Sequence, residues 1–138
     1  MDSHKADLII QYALAVASEA DDYRQRELGP IHLIKYVYLG DLASTQAGAG
    51  SFTGATWRFH NFGPWAVEVW DRVAPAVKAI GAQERRFQSK YKDEDAVRWQ
   101  TKQRGLAEQL EREVPWSVAR AVRSAVRDYG NDTTALLH

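Results

Sequence analysis

A chain of 138 residues is one domain of ordinary size, long enough to bury a core without a disulfide or a structural metal. It contains no cysteine, which removes disulfide frameworks, thiolate catalysis and cysteine-based zinc sites and fits a reducing, cytoplasmic compartment. With 18 basic and 18 acidic side chains the formal charge is zero, so general attraction to nucleic acid or anionic lipid is not built into the molecule as a whole. Met1-Asp2-Ser3-His4-Lys5-Ala6-Asp7 has no long apolar region, so no secretory leader is expected. No apolar run approaches the roughly 18 residues of a membrane span, and no membrane partner is expected.

Residues 5–20 read as an amphipathic helix, with Ile9, Tyr12, Ala13, Val16 and Ala20 at helical spacing. After Leu28-Gly29, Pro30 suits the first turn of a second helix over 31–43, with Ile34, Val37, Tyr38 and Leu42 as its apolar stripe. Ala47-Gly48-Ala49-Gly50-Ser51 reads as a connector. Residues 55–60 alternate, which predicts a short half-buried strand with Ala55, Trp57 and Phe59 inward. Gly63-Pro64 reads as the corner that opens a third helix, with Val67, Trp70, Val73, Ala74 and Val77 on the core face, a kink or split at Pro75 and Gly81 as its cap.

Residues 84–99 predict a β-hairpin with one wet face: Phe87 and Tyr91 on the first arm, Val97 and Trp99 on the second, Lys92-Asp93-Glu94-Asp95 as the turn. A fourth helix is expected over 102–113 with Leu106 and Leu110 inward. A fifth follows Pro115, with Val118, Val122, Ala125, Val126 and Tyr129 as its stripe and Gly130 at its end. Asn131-Asp132-Thr133-Thr134 resembles the start of one more helix whose body is missing, as in a domain trimmed at its last helix. The expected fold is mainly helical α+β: five to six helices with a short strand and a β-hairpin, in a single domain over 1–138.

The most informative stretch is 34–70, where three tryptophans and three phenylalanines crowd the nineteen positions from Phe52 to Trp70. Buried rings supply much of a small domain's stability, and uncovered ones mark partner surfaces. Lys35-Tyr36-Val37-Tyr38-Leu39-Gly40-Asp41 and Trp57-Arg58-Phe59-His60-Asn61-Phe62-Gly63-Pro64, followed by Trp65-Ala66-Val67-Glu68-Val69-Trp70-Asp71, resemble the Panacea antitoxin domain. That family includes SocA-like proteolytic adaptors and phage-associated relatives. The likeness covers 8–137 in element order and is specific over 33–71. Gly40 stands where the family usually has Ala, and Phe62 where Tyr is common.

The resemblance implies a non-catalytic antitoxin-type module that neutralises a cognate toxin protein by direct contact in a toxin–antitoxin or phage-defence system. An adaptor member would instead hand the toxin to a AAA+ protease. Candidate partner-binding residues are Lys35, Tyr38, Asp41, Trp57, Asn61, Phe62, Trp65 and Glu68. On the residues themselves, Lys35, Tyr38 and Asp41 share a helical flank and either order the following loop, meet a partner, or form a solvated edge. Trp65 is the expected interface ring, beside a helix start with free N–H groups.

No enzyme chemistry is indicated. His4, His32, His60 and His138 lack metal-ligand spacing, the serines lack a Gly-x-Ser-x-Gly context, and Gly48-Ala49-Gly50 is neither a P-loop nor a dinucleotide fingerprint. No catalytic residue, metal or cofactor is therefore assigned. The alternative is a DNA-binding regulator using helix 115–129 (Arg120, Arg123, Arg127) and the hairpin cations Arg85, Arg86, Lys90 and Lys92. Glu108, Glu111, Glu113 and Asp128 dilute that patch, so nucleic acid is not the favoured partner. Self-association stays open.

Overall fold

The computed structural model describes residues 1–61, 63–88 and 95–132. In chain order these form α1 (Ser3–Ser18), a single 3-10 turn (Tyr23–Gln25), α2 (Pro30–Gln46), β1 (Arg58–His60), β2 (Gly63–Trp65) and α3 (Val67–Ala79). Then come β3 (Gln83–Gln88), β4 (Asp95–Gln100), α4 (Leu106–Glu111) and α5 (Trp116–Tyr129). The fold is mainly helical α+β, and its four strands make two separate two-stranded antiparallel sheets. Among the described residues no helix is long and apolar enough to cross a membrane.

Asp2 caps α1, its carboxylate accepting the Lys5 N–H at 3.2 Å. The one-sided stripe expected for this helix understates its burial: residues 8–10 and 12–17 are all buried. The reason is position, since α1 is the hub against which α2, α3, α4, α5 and β4 pack. Ala20 lies past the helix end and is half-buried.

Pro30 sits in the first turn of α2 as expected, and the helix runs to Gln46, three residues beyond the predicted end. Its buried set is His32, Leu33, Ile34, Lys35, Tyr36, Val37, Gly40, Asp41 and Ser44, so Leu42 is out of phase and 37% exposed, and Tyr38 is half-buried. A Cβ on Gly40 would stand 3.0 Å from Ile9 Cδ1 and 3.2 Å from Val118 Cγ1. Gly40 thus sits at a tight crossing of α1, α2 and α5.

The predicted strand over 55–60 is shorter. Only Arg58–His60 pair, in the register Arg58↔Trp65, Phe59↔Pro64 and His60↔Gly63. Phe59 faces out, 68% exposed, contrary to the alternation; all three residues of β1 are exposed, so the alternation selects no buried side chain in this short ribbon. Pro64 belongs to β2 rather than to a helix start, and α3 begins at Val67 after an extended Ala66. Trp65 therefore precedes the helix and does not sit on its first turn.

The core face of α3 is Val69, Val73, Ala76 and Val77, while Val67 is 61% and Trp70 42% exposed, overturning their inward placement. Both sets fit a 3.6-residue period, and the small Val69 and Ala76 side chains suit the close approach to α1. Pro75 does not split the helix. Its missing N–H falls opposite the carbonyl of Asp71, an exposed residue on the outer side of the helix. Gly81 closes α3 as expected: its N–H donates to the Lys78 carbonyl and that of Ala82 to the Val77 carbonyl.

The predicted hairpin is β3 paired with β4, Phe87 opposite Ala96 and Arg86 opposite Val97. Tyr91 and the turn residues Lys92, Asp93 and Glu94 lie outside the described residues. Leu28 extends the ladder by one residue, exchanging both backbone hydrogen bonds with Trp99 at 2.8 and 2.9 Å. The fourth helix is shorter than expected, because Gly105 takes a left-handed conformation (φ 72°) and α4 begins only at Leu106. In α5, Val118, Val122 and Val126 are buried, Ala125 is half-buried, and Tyr129 is 44% exposed rather than inward. The helix expected after Asn131-Asp132 falls outside the described residues.

Candidate partner-binding site

Lys35, Tyr38 and Asp41 form one flank of α2, and the segment 53–65 runs back along that flank in the opposite direction. Asp41, only 3% exposed, holds its near end. Its Oδ1 accepts the Thr53 N–H at 2.9 Å, and Oδ2 accepts the Thr53 hydroxyl at 2.6 Å and the Trp57 indole N–H at 2.9 Å. One turn earlier, the Tyr38 ring meets Trp57 edge-on (5.3 Å, 79°) and Phe59 edge-on (5.7 Å, 89°). A further turn back, Lys35 lies beneath the β1–β2 turn, where a Cβ on Gly63 would stand 3.0 Å from Nζ. Gly63 has φ +103°, which glycine adopts without strain. Burial pulls the Lys35 pKa below its ordinary value.

Lys35 and Asp41, both proposed partner contacts, are therefore internal supports at 3% exposure. Asp41 does what one reading of its spacing required: it orders the following loop. Thr53, 1% exposed, was missed by sequence reasoning, which had no signal for it beyond its place among small residues. Asp2 ties the same loop to α1 by donating its N–H to the Thr53 carbonyl at 2.7 Å.

The outer side of this framework is apolar. Phe59 stands out beside a groove of about 630 Å³ lined by Ile31, Ile34, Lys35, Asn61, Pro64 and Trp65 among others. Trp65 is half-buried and stacks at a tilt on Trp70, ring centroids 5.2 Å apart. Val67 and Trp70 continue the exposed surface along α3. Among the expected contacts, Asn61 is exposed on the groove and Glu68 is half-buried in the first turn of α3. Trp57 is half-buried against Tyr38, and Phe62 lies outside the described residues. Phe59, Val67 and Trp70 were assigned to the core by period alone, so this surface is larger than the sequence indicated.

Other chemistry finds little support in the geometry. Among the described residues no group of three or more His, Asp or Glu side chains is placed to hold a metal ion. Burial first, then the charges of Arg98 and Lys35, pull His32 down to about 3, so its imidazole is neutral at physiological pH. Its Nδ1 accepts the Gly29 N–H at 2.9 Å, which closes the N-terminal turn of α2. Of the α5 arginines, Arg123 pairs with Glu111 and stands 5.5 Å from the centre of the Trp116 ring, while Arg120 and Arg127 are exposed. No family model matches the chain, and neither the curated proteins nor the solved structures offer a match.

Proposed function

We propose that this chain is an antitoxin-type protein-binding module that neutralises a cognate toxin by direct contact, in a toxin–antitoxin or phage-defence system. The observation that carries the reading is the apolar surface of exposed Phe59, Val67 and Trp70 with half-buried Trp65, in which Tyr38 meets Phe59 edge-on and Lys35 lies beneath the adjoining turn at Gly63. A ring already fixed before binding loses little conformational freedom on docking, so more of its burial appears as affinity. Interfaces concentrate their energy in a few such aromatic anchors. The residues that build the support and the surface are also those on which the resemblance to the Panacea domain rests.

The mechanism is steric. Phe59 and the Trp65–Trp70 pair fill an apolar depression on the toxin, and Asn61 and Glu68 at the margin supply polar contacts. The bulk of α2 and α3 then covers the toxin's working surface. No proton transfer or bond cleavage on this chain is required.

The test is co-expression with the product of the adjacent gene, read as growth rescue and as co-purification. Rescue together with a stable complex supports the proposal. Normal growth of cells carrying the neighbour alone, or rescue without any complex, would refute it. Loss of the neighbour from the cell only when a AAA+ protease is present would redirect the reading to an adaptor.

A further inference from the structure

A second groove, of about 620 Å³, lies between the Tyr23–Gln25 turn and the β3–β4 hairpin and shares no residue with the first. Arg85 and Arg98 stand directly opposite each other across β3 and β4. Like charges in that relation oppose pairing. Glu27 binds Arg85 directly, through both carboxylate oxygens at 2.9–3.1 Å, and reaches Arg98 only as a nearby charge. Arg98 instead places Nη1 2.9 Å from Nδ1 of the neutral His32, and it makes no ion pair among the described residues.

Phe87 lies beside both guanidinium groups, 4.5 Å from Arg85 and 5.9 Å from Arg98, and limits their motion. Arg24, Arg26 and Lys102 complete five cations on the wall, against Glu27 as the one carboxylate. Asp22 pairs with Arg24, so Arg26, Arg98 and Lys102 remain without an ion-pair partner among the described residues. Arg26 donates to the Ala20 and Asp21 carbonyls, and the wall as a whole sets five cations against one carboxylate in a chain of zero formal charge.

We propose that this groove binds the phosphodiester backbone of a single-stranded nucleic acid. Planar guanidinium groups fit phosphate oxygens as bidentate donors. Tyr23, 73% exposed on the wall, offers a ring on which a base stacks. A flexible strand follows a concave groove lined from four segments, residues 23–27, Arg85 with Phe87, residues 98–102, and Asn131, more readily than a rigid duplex does. An acidic peptide would use the charges but has no need of the ring.

The experiment is a fluorescence-anisotropy titration of the whole chain with a labelled oligothymidylate of about twelve nucleotides. If three phosphates are held, affinity falls about twenty-fold between about 50 and 200 mM salt. Lys102→Gln, at an exposed side chain, lowers the salt dependence by about one phosphate. Tyr23→Ala weakens binding about five-fold or more, while Arg120→Gln on α5 leaves it unchanged. Arg98→Gln is read only if its circular dichroism matches the parent, and then it weakens binding further. No binding at low salt overturns the proposal. So does wild-type affinity in both Lys102→Gln and Tyr23→Ala, equal affinity for a duplex, or equal competition by polyglutamate.

Discussion

The indole N–H of Trp57 donates to Oδ2 of Asp41 at 2.9 Å, the same oxygen that accepts the Thr53 hydroxyl at 2.6 Å. One carboxylate thereby fixes two points of a segment that otherwise has little regular structure, and it sets the Trp57 ring against Tyr38. Asp41→Ala leaves three donors facing a void, two of them on Thr53, which is 1% exposed. Stranded donors of this kind, once paired to a charge, cost more than neutral ones, and the expected loss is about 3 kcal/mol. Urea denaturation followed by tryptophan fluorescence measures it. Asp41→Asn keeps one acceptor oxygen and should lose less; equal stability of Asp41→Ala and the parent would show that the clamp contributes nothing.

Gly63 and Lys35 make a second support that tolerates no side chain at the turn. Gly63→Ala combines a φ of +103° with a Cβ 3.0 Å from the Lys35 ammonium. Backbone in this region costs a non-glycine residue about 1–3 kcal/mol. The strain is local, so the β1–β2 ribbon should loosen before the helices do. Amide hydrogen exchange is expected to accelerate at Arg58, Phe59, His60, Gly63 and Trp65 while α1 and α5 keep their protection. Uniform acceleration through the whole chain would contradict a local role.

Element type and order were legible where period and punctuation agreed: Pro30 opening α2, Gly81 after α3, the arms of β3 and β4. What period alone could not supply was phase. Val69 and Trp70 are neighbours in sequence, and either fits a helical stripe; only the proximity of α1 decides that Val69 goes in and Trp70 stays out. Phe59 failed for a related reason: alternation presumes a layer that covers one face of the strand, and β1, paired only with β2 among the described residues, meets α2 through the edge-on contact with Tyr38 and stays exposed. The flank of Lys35, Tyr38 and Asp41 was legible as a unit from its spacing. That two of its members face inward was not, because charged residues are rarely buried unless a specific partner awaits them, and Thr53 gave no sign of being one.

His32 makes the stability of this fold depend on pH. The folded protein holds it neutral, with its pKa near 3, while the unfolded chain returns it to about 6.5. The folded value is the lower, so this contribution is complete above about pH 6.5 and is lost as pH falls from there toward 3, at up to about 1.4 kcal/mol per pH unit. Protonation would take Nδ1 away from the Gly29 N–H and bring a cation against Arg98. His32→Gln retains an acceptor for Gly29, as glutamine does in a capping box, and removes the titration. Denaturation midpoints between about pH 6.5 and 5 should fall more steeply in the parent than in His32→Gln. Equal slopes would place the pH sensitivity elsewhere.

Phe59 separates folding from binding. Its ring is 68% exposed and its one ring contact among the described residues is perpendicular to Tyr38, so Phe59→Ser should change stability by less than about 1 kcal/mol. If the ring anchors a partner, the same substitution removes a hot spot and weakens the complex by at least about thirty-fold, equivalent to about 2 kcal/mol. Trp57→Ala behaves differently: it breaks the bond to Asp41 and the packing on Tyr38, so stability and binding fall together. The two variants measured side by side distinguish the outer surface from its support. A Phe59→Ser protein that still rescues growth and holds its partner at the parent affinity would remove Phe59 from the interface. The Trp65–Trp70 pair would then be the remaining anchor on this face.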